Sequence, residues 1–418
     1  MGERRTMPVE GGLDHSIALL KEGYHFILNR RDRYDTNVFK TKLLAQDAIC
    51  LSGKESATLF YDTNYFRRSD AAPKRLKKTL FGQGGVQGLD GEEHRHRKAM
   101  FMSLMTKDAL EEISNITKKQ WKQAAKNWES EKEIILYEEA KQVMTKVACA
   151  WTGVPLPERD LAKRAEQLAD MFESAAAIGP KHWKGRKARA SAEKWIEDLI
   201  ENVRNEQLAV SPDRALYTFS WHKDLEGNLL DKKTVAVELL NLLRPIVAIS
   251  VYVCLTGLAI HQFPNEVAKL ESGKDKDHQW FIQEVRRFYP FFPFAAARVK
   301  KDFTWNGFSF EEGTLTLLDL YGTNHDPKIW ENPYSFQPER FHEWKGSPFD
   351  FIPQGGGEFD LGHRCAGEWI TLDIMKVSLK FLIHQIDYEV PKQDLSLSMV
   401  KMPSLPESKL VIKNIKCV

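Results

Sequence analysis

Along the chain, apolar residues recur mostly at helical spacing. The segments 13–29, 107–127, 137–153, 158–178 and 187–208 place them three or four positions apart, the period of a helix that buries one face. Pro155, Pro157 and the Gly179-Pro180 pair punctuate them, since proline lacks the N–H that a continuing helix needs. The stretch 232–261 differs in being apolar nearly all round, with 16 uncharged residues from 245 to 260. That falls short of the ~18 of a membrane span, so it predicts no transmembrane segment but a helix through the protein centre. Residues 368–382 read as a further helix. Strand signals are few. Residues 48–51 read as a short buried strand ending at Ser52-Gly53, and 409–418 alternates as an edge strand does. Phe303-Thr-Trp305-Asn306-Gly307-Phe308-Ser-Phe310 is an Asn-Gly hairpin between alternating aromatics. The expected class is mainly α with minor β.

Composition narrows the setting. The 418 residues show no linker or shift in composition, so one domain spanning 1–418 is expected. A net charge of +2 calls for no nucleic acid partner. The basic run 181–189 reads as a solvated face. Five scattered cysteines, without metal-ligand spacing, and a polar first 30 residues predict a reducing, cytoplasmic setting.

Two places carry candidate chemistry. In the middle of the apolar helix stands Leu243-Arg244-Pro245-Ile246. An unpaired buried arginine costs roughly several kcal/mol, so an anion must meet it. Glu238 is one candidate, although six residues is the wrong helical spacing for a direct pair; a bound anion is the other. Pro245 beside it adds a helix-interior proline, which costs about 3 kcal/mol. The second place is Phe351-Ile-Pro-Gln-Gly-Gly-Gly-Glu-Phe-Asp-Leu-Gly-His-Arg-Cys365-Ala-Gly367-Glu-Trp369. Its glycines let backbone pass close to something flat and large. Cys365, beside His363 and Arg364 and ahead of a helix, is placed to be a thiolate and an iron ligand. Taken alone, it could equally be a buried cysteine in a glycine-rich loop.

Cys365-Ala-Gly367 after a glycine-rich loop resembles the cysteine loop of the haem-thiolate cytochromes (cytochrome P-450). Two further pieces stand in that family's order. Glu284-Val-Arg-Arg287 resembles its Glu-x-x-Arg, and Asn332-Pro333 through Phe336-Gln-Pro-Glu-Arg340-Phe341 resembles the segment that follows. The resemblance covers nearly the whole chain. It implies the family's largely helical single-domain fold, haem b (iron protoporphyrin IX) held by Cys365, and an ion network of Glu284, Arg287 and Arg340 bracing the cysteine loop. His94 and Lys98, four apart in His94-Arg-His-Arg-Lys98, match haem-propionate contacts. The family's arginine two before the cysteine is here His363, and its phenylalanine seven before is Glu358; which side chain near Cys365 meets a propionate is thereby left open.

Most members carry an acid and an alcohol on the central helix to relay protons, where this chain has Arg244-Pro245. That departure resembles the fatty-acid peroxygenase branch. Further likeness lies in Phe81-Gly82 through Gln87-Gly-Leu-Asp90-Gly91 and in Arg287-Phe-Tyr-Pro290-Phe291. The resemblance implies that Arg244 holds a long-chain fatty acid by its carboxylate and that hydrogen peroxide is the oxidant. No redox partner is then required. The substrate carboxylate serves as base and acid, so oxidation falls on the alpha or beta carbon, with decarboxylation to a terminal alkene as a side reaction. Gln87 stands where hydroxylating members have glutamine and the specialised decarboxylase has histidine. Phe81, Phe291 and Phe292 line an acyl tunnel or else belong to an ordinary aromatic core. A monooxygenase fed by a redox partner, and a non-catalytic lipid or haem carrier, are the competing readings.

Overall fold

The uncharged stretch forms the middle of the longest helix in a computed structural model that describes residues 5–270 and 274–418. The helices that position the site are, in chain order, α1 (Gly91–Met102), α2 (Lys107–Trp128), α3 (Leu136–Thr152), α4 (Leu161–Glu173), α5 (Pro180–Arg204), α6 (Lys232–Gln262), α7 (Asp275–Phe288) and α8 (Glu368–His384). Asp231 caps α6 by accepting from the Thr234 N–H at 3.0 Å. The helix then runs unbroken through Pro245, packed on α3, α5 and α8. By length and composition α6 could cross a bilayer, but 83% of its most apolar window is buried in the protein, which makes it the core.

Most helices expected from the sequence form with small shifts of boundary. Segment 158–178 stops at Glu173 because α5 crosses there: a Cβ on Gly185 would lie 2.6 Å from the Ser174 Cβ. Segment 13–29 breaks at Gly23, whose φ of +54° turns the chain where a Cβ would come 2.1 Å from the Met399 carbonyl.

Among the described residues, three sheets accompany the helices. The largest has the order β1-β2-β8-β5-β3, from β1 (Val38–Leu43), β2 (Gln46–Leu51), β3 (Phe66–Arg67), β5 (Phe294–Val299) and β8 (Leu315–Asp319). β2 holds the strand expected at 48–51. The Asn-Gly hairpin forms as expected between β6 (Phe303–Trp305) and β7 (Phe308–Phe310), with Asn306 and Gly307 both at positive φ. The tail strand β10 (Val411–Cys417) is not at an edge. It pairs with β4 (Glu133–Ile135) on one side and β9 (Ile386–Glu389) on the other, and alternation alone could not distinguish a central strand half-covered by helix from an edge.

Candidate functional site

From Val235 to Ala259 every residue of α6 is buried except Pro245 and Ala248. These two lie one turn apart on one face of the helix. In the cysteine loop, a Cβ on Gly367 would meet nothing within 4 Å.

Arg244 is 6% exposed. Its Nη2 donates to the Asn241 Oδ1 at 3.2 Å, and its Nε is buried with no partner among the described residues. Burial pushes the guanidinium down to about 9, Arg189 adding to the shift and Cys365 opposing it. It stays charged at neutral pH, and no carboxylate ion-pairs with it among the described residues. Glu238 is engaged elsewhere. Its carboxylate accepts from the Arg97 Nη1 at 2.9 Å and from the Asn241 Nδ2 at 3.1 Å, in a setting whose burial raises its pKa. The Asn241 Nδ2 also donates to the Gln87 Oε1 at 3.1 Å. Arg97, Glu238, Asn241 and Arg244 thus form one chain of contacts, with Gln87 attached at Asn241.

Within the glycine-rich loop, Gly356 and Gly357 pass close to the Tyr61 ring: a Cβ on Gly357 would lie 3.0 Å from Tyr61 Cβ and Cγ, and one on Gly356 3.1 Å from its Cε2. The thiol of Cys365 is pushed up by burial and by Glu368, against the pull of Lys98, the Gly367 N–H and Arg286. The two neighbours expected to lower it are otherwise occupied. The Arg364 Nε donates to the Glu368 Oε2 at 2.6 Å. His363 is stacked on His94 with centroids 3.8 Å apart, and burial drives it down to about 2, hence neutral.

The brace is shared between two adjacent arginines of α7. Arg287 bonds both Glu284 oxygens, at 2.8 and 2.7 Å, and Arg340 reaches Glu284 at 3.2 Å, all three largely buried. Arg287 also donates to the carbonyls of Asn324 and Pro333, so this network fixes the 324–340 segment rather than the cysteine loop directly. Arg286 makes that connection, donating to the Glu368 Oε1 at 2.8 Å and to the Gln354 Oε1 at 2.9 Å. Sequence reasoning missed Arg286, although it stands inside the motif that was singled out.

Lys98 and His94 are buried on α1 toward the cysteine loop, with the Lys98 Nζ donating to the Arg364 carbonyl. Burial, then the Lys98 charge, pushes His94 down to about 4, so Lys98 is the cation of this pair and His94 a neutral partner. Arg68, also missed, is buried beside both histidines with its guanidinium 4.3 Å over the Phe60 ring. No sequence motif marks it. Phe81, Phe291 and Phe292 remain partly exposed. Phe291 stacks on Tyr252 at 4.2 Å and meets Phe292 edge-on at 4.7 Å.

Haem b fits these residues. Cys365 is a soft sulfur donor next to Gly367, where a Cβ would meet nothing within 4 Å, and the cations Lys98 and Arg68 gather beside it and His363, as a dianionic rim requires.

Residues 278–414 match a family profile described as Cytochrome P450. Over 405 residues the chain is 22% identical to cytochrome P450 26A1 of Danio rerio, covering 88% of this chain and 81% of that protein. Among solved structures it is similar to cytochrome P450EX alpha (CYP152N1) with myristic acid, at 53% identity and a TM-score of 0.96 over 99% of this chain and 100% of the other. It is also similar to cytochrome P450SP alpha (CYP152B1) in complex with (R)-ibuprophen, at 43% identity and a TM-score of 0.95 over 97% and 99%. Ligand-free cytochrome P450 OleT matches at 38% identity and 0.96 over 99% of each chain.

Proposed function

The chain belongs to the cytochrome P450 family, and on that premise we propose that it is a haem-thiolate peroxygenase. It takes a long-chain fatty acid and hydrogen peroxide, hydroxylates the alpha or beta carbon, and releases some terminal alkene by decarboxylation. No redox partner is required. One observation carries the reading: beside Pro245 stands a buried guanidinium that has no carboxylate partner among the described residues and feels the charge of Cys365. The fatty-acid ligand in the solved structure of P450EX alpha is in line with it.

Cys365 would hold haem b, flanked by His94, Lys98 and His363, and the group would supply the oxidising power that breaks a carbon–hydrogen bond. The protein's own part is binding and proton placement. Arg244 grips the substrate carboxylate by charge-assisted hydrogen bonds worth about 1.5–3 kcal/mol each. Pro245 and Ala248 occupy the face where a relay acid and alcohol are absent, so the gripped carboxylate oxygen receives the proton from peroxide and returns it to the departing oxygen. Asn241, tied to Glu238 and Gln87, keeps the guanidinium in one plane. Phe81, Phe291 and Phe292 line the path of the acyl chain. Because the carboxyl end is fixed, the first two carbons are the ones presented for oxidation. Glu284, Arg287 and Arg340 hold the framework as one catalytic unit over 1–418. The five cysteines, all free, favour a reducing cytoplasm.

The test is turnover of a saturated long-chain fatty acid by purified holoprotein with hydrogen peroxide, products resolved by mass spectrometry. Hydroxy acids and alkene with peroxide alone are expected, and Arg244→Ala abolishes them while haem remains bound. Turnover that demanded a reductase and oxygen instead would favour the monooxygenase reading.

A further inference from the structure

The run 181–189, expected to be one solvated face, is divided by the fold. Arg189 turns inward, 3% exposed, and donates to the Leu80 carbonyl at 3.2 Å. Lys181, Arg186 and Lys187 stay exposed around Trp183, which is 67% exposed, with Ile178 at 62% just before the helix starts. The segment leading to Phe81 adds exposed Lys74, Arg75 and Lys78, and Arg75 donates to the Ala177 carbonyl, so the two basic stretches share one surface. Among the described residues, none of these six cations has an ion pair; the pairs formed nearby belong to Lys77 and Lys184. In a chain of net charge +2, six unmatched cations on one face mark a local field.

We propose that this face docks on an anionic lipid bilayer, Ile178 and Trp183 entering the boundary between headgroups and acyl chains while the cations meet lipid phosphates. Large exposed apolar side chains ringed by lysine and arginine suit an interface that is greasy below and negative above. An acidic protein surface matches the charge but not the two protruding apolar groups. The face also adjoins Phe81: Lys78 lies on the turn Lys77–Phe81, and Arg189 pins that turn to α5 from the inside. A fatty acid leaving the bilayer would meet Phe81 on the same turn as Lys78. That transfer step rests on the fatty-acid reading above, whereas the docking does not.

Flotation of the full holoprotein with vesicles tests it, using phosphatidylcholine alone or mixed with phosphatidylglycerol. Wild type is expected to float with the anionic vesicles only, and to be released by high salt. The combined Lys181→Glu, Arg186→Glu, Lys187→Glu variant is expected to bind about ten-fold more weakly or worse. Trp183→Ser weakens binding without changing its salt dependence. Both variants keep wild-type haem content and wild-type turnover of a freely dissolved fatty acid, which separates loss of docking from loss of fold. Equal flotation with neutral and anionic vesicles overturns the proposal, as does an undiminished charge-reversed variant. Retention by an acidic carrier protein without vesicle binding reassigns the face and overturns it too.

Discussion

Asn241 accepts a hydrogen bond from Arg244 at 3.2 Å while its amide nitrogen donates to Glu238 and Gln87. One side chain therefore sets the plane of the buried cation and ties it to a partnered carboxylate. Asn241→Ala is expected to raise KM for the fatty acid about 10- to 100-fold, the equivalent of one charge-assisted hydrogen bond, with kcat less affected. Asn241→Asp is expected to be worse, because a protein carboxylate then neutralises Arg244 before substrate arrives. Steady-state kinetics with peroxide saturating checks both.

Gln87 reaches the same network through a single acceptor oxygen. A histidine there presents a ring nitrogen of different reach and can carry a proton. Gln87→His is expected to raise the ratio of terminal alkene to hydroxy acid several-fold, read by mass spectrometry of the products. An unchanged ratio removes Gln87 from the choice between them.

Arg286 connects α7 to the start of α8 through Glu368 and Gln354. Arg286→Met leaves a buried carboxylate with Arg364 as its remaining partner, and is expected to cost about 3 kcal/mol and lower haem retention. Arg340→Met, on the more exposed side of the other network, is expected to cost less and to leave haem content near wild type. Thermal unfolding and the haem-to-protein absorbance ratio distinguish the two.

Much of this was legible in the sequence because it rests on local period and short motifs. The α6 stretch, the Asn306-Gly307 hairpin and the Cys365 loop are contiguous signals, each with a physical meaning that survives without a partner. What was not legible depends on distant chain. Nothing near Asn241 says that Gln87, more than 150 positions earlier, will meet it. Arg286 and Arg287 look interchangeable until packing turns one toward Glu368 and the other toward Glu284. That Tyr61, about 300 positions earlier, would pack against Gly356 and Gly357 is equally a matter of distant chain. Cys365 was assigned low-pKa surroundings from neighbours that folding commits to Glu368 and to His94.

Asp319, buried at the start of the short helix Leu320–Asn324, caps it by accepting from the Gly322 N–H at 2.7 Å. Burial pushes its carboxyl up to about 7. A carboxyl raised in the folded state binds more protons folded than unfolded, so stability falls as pH rises from the unfolded value of about 4 toward 7, and the full penalty stays above that. Asp319→Asn keeps the cap and removes the titration. Its Tm is expected to exceed wild type by several degrees at about pH 8 and by little at about pH 4, read by calorimetry at both.

Gly357 and Gly367 lie ten positions apart in one loop and face different surroundings, an aromatic ring and open space. Adding a methyl group at each therefore produces two separable injuries. At 357, where φ is +86°, it presses on Tyr61 and registers as a lower melting temperature with an unaltered absorption band. At 367 it meets no protein atom within 4 Å, two positions from the residue proposed to hold the haem, and would register in the colour of the protein before it registers in its resistance to heat.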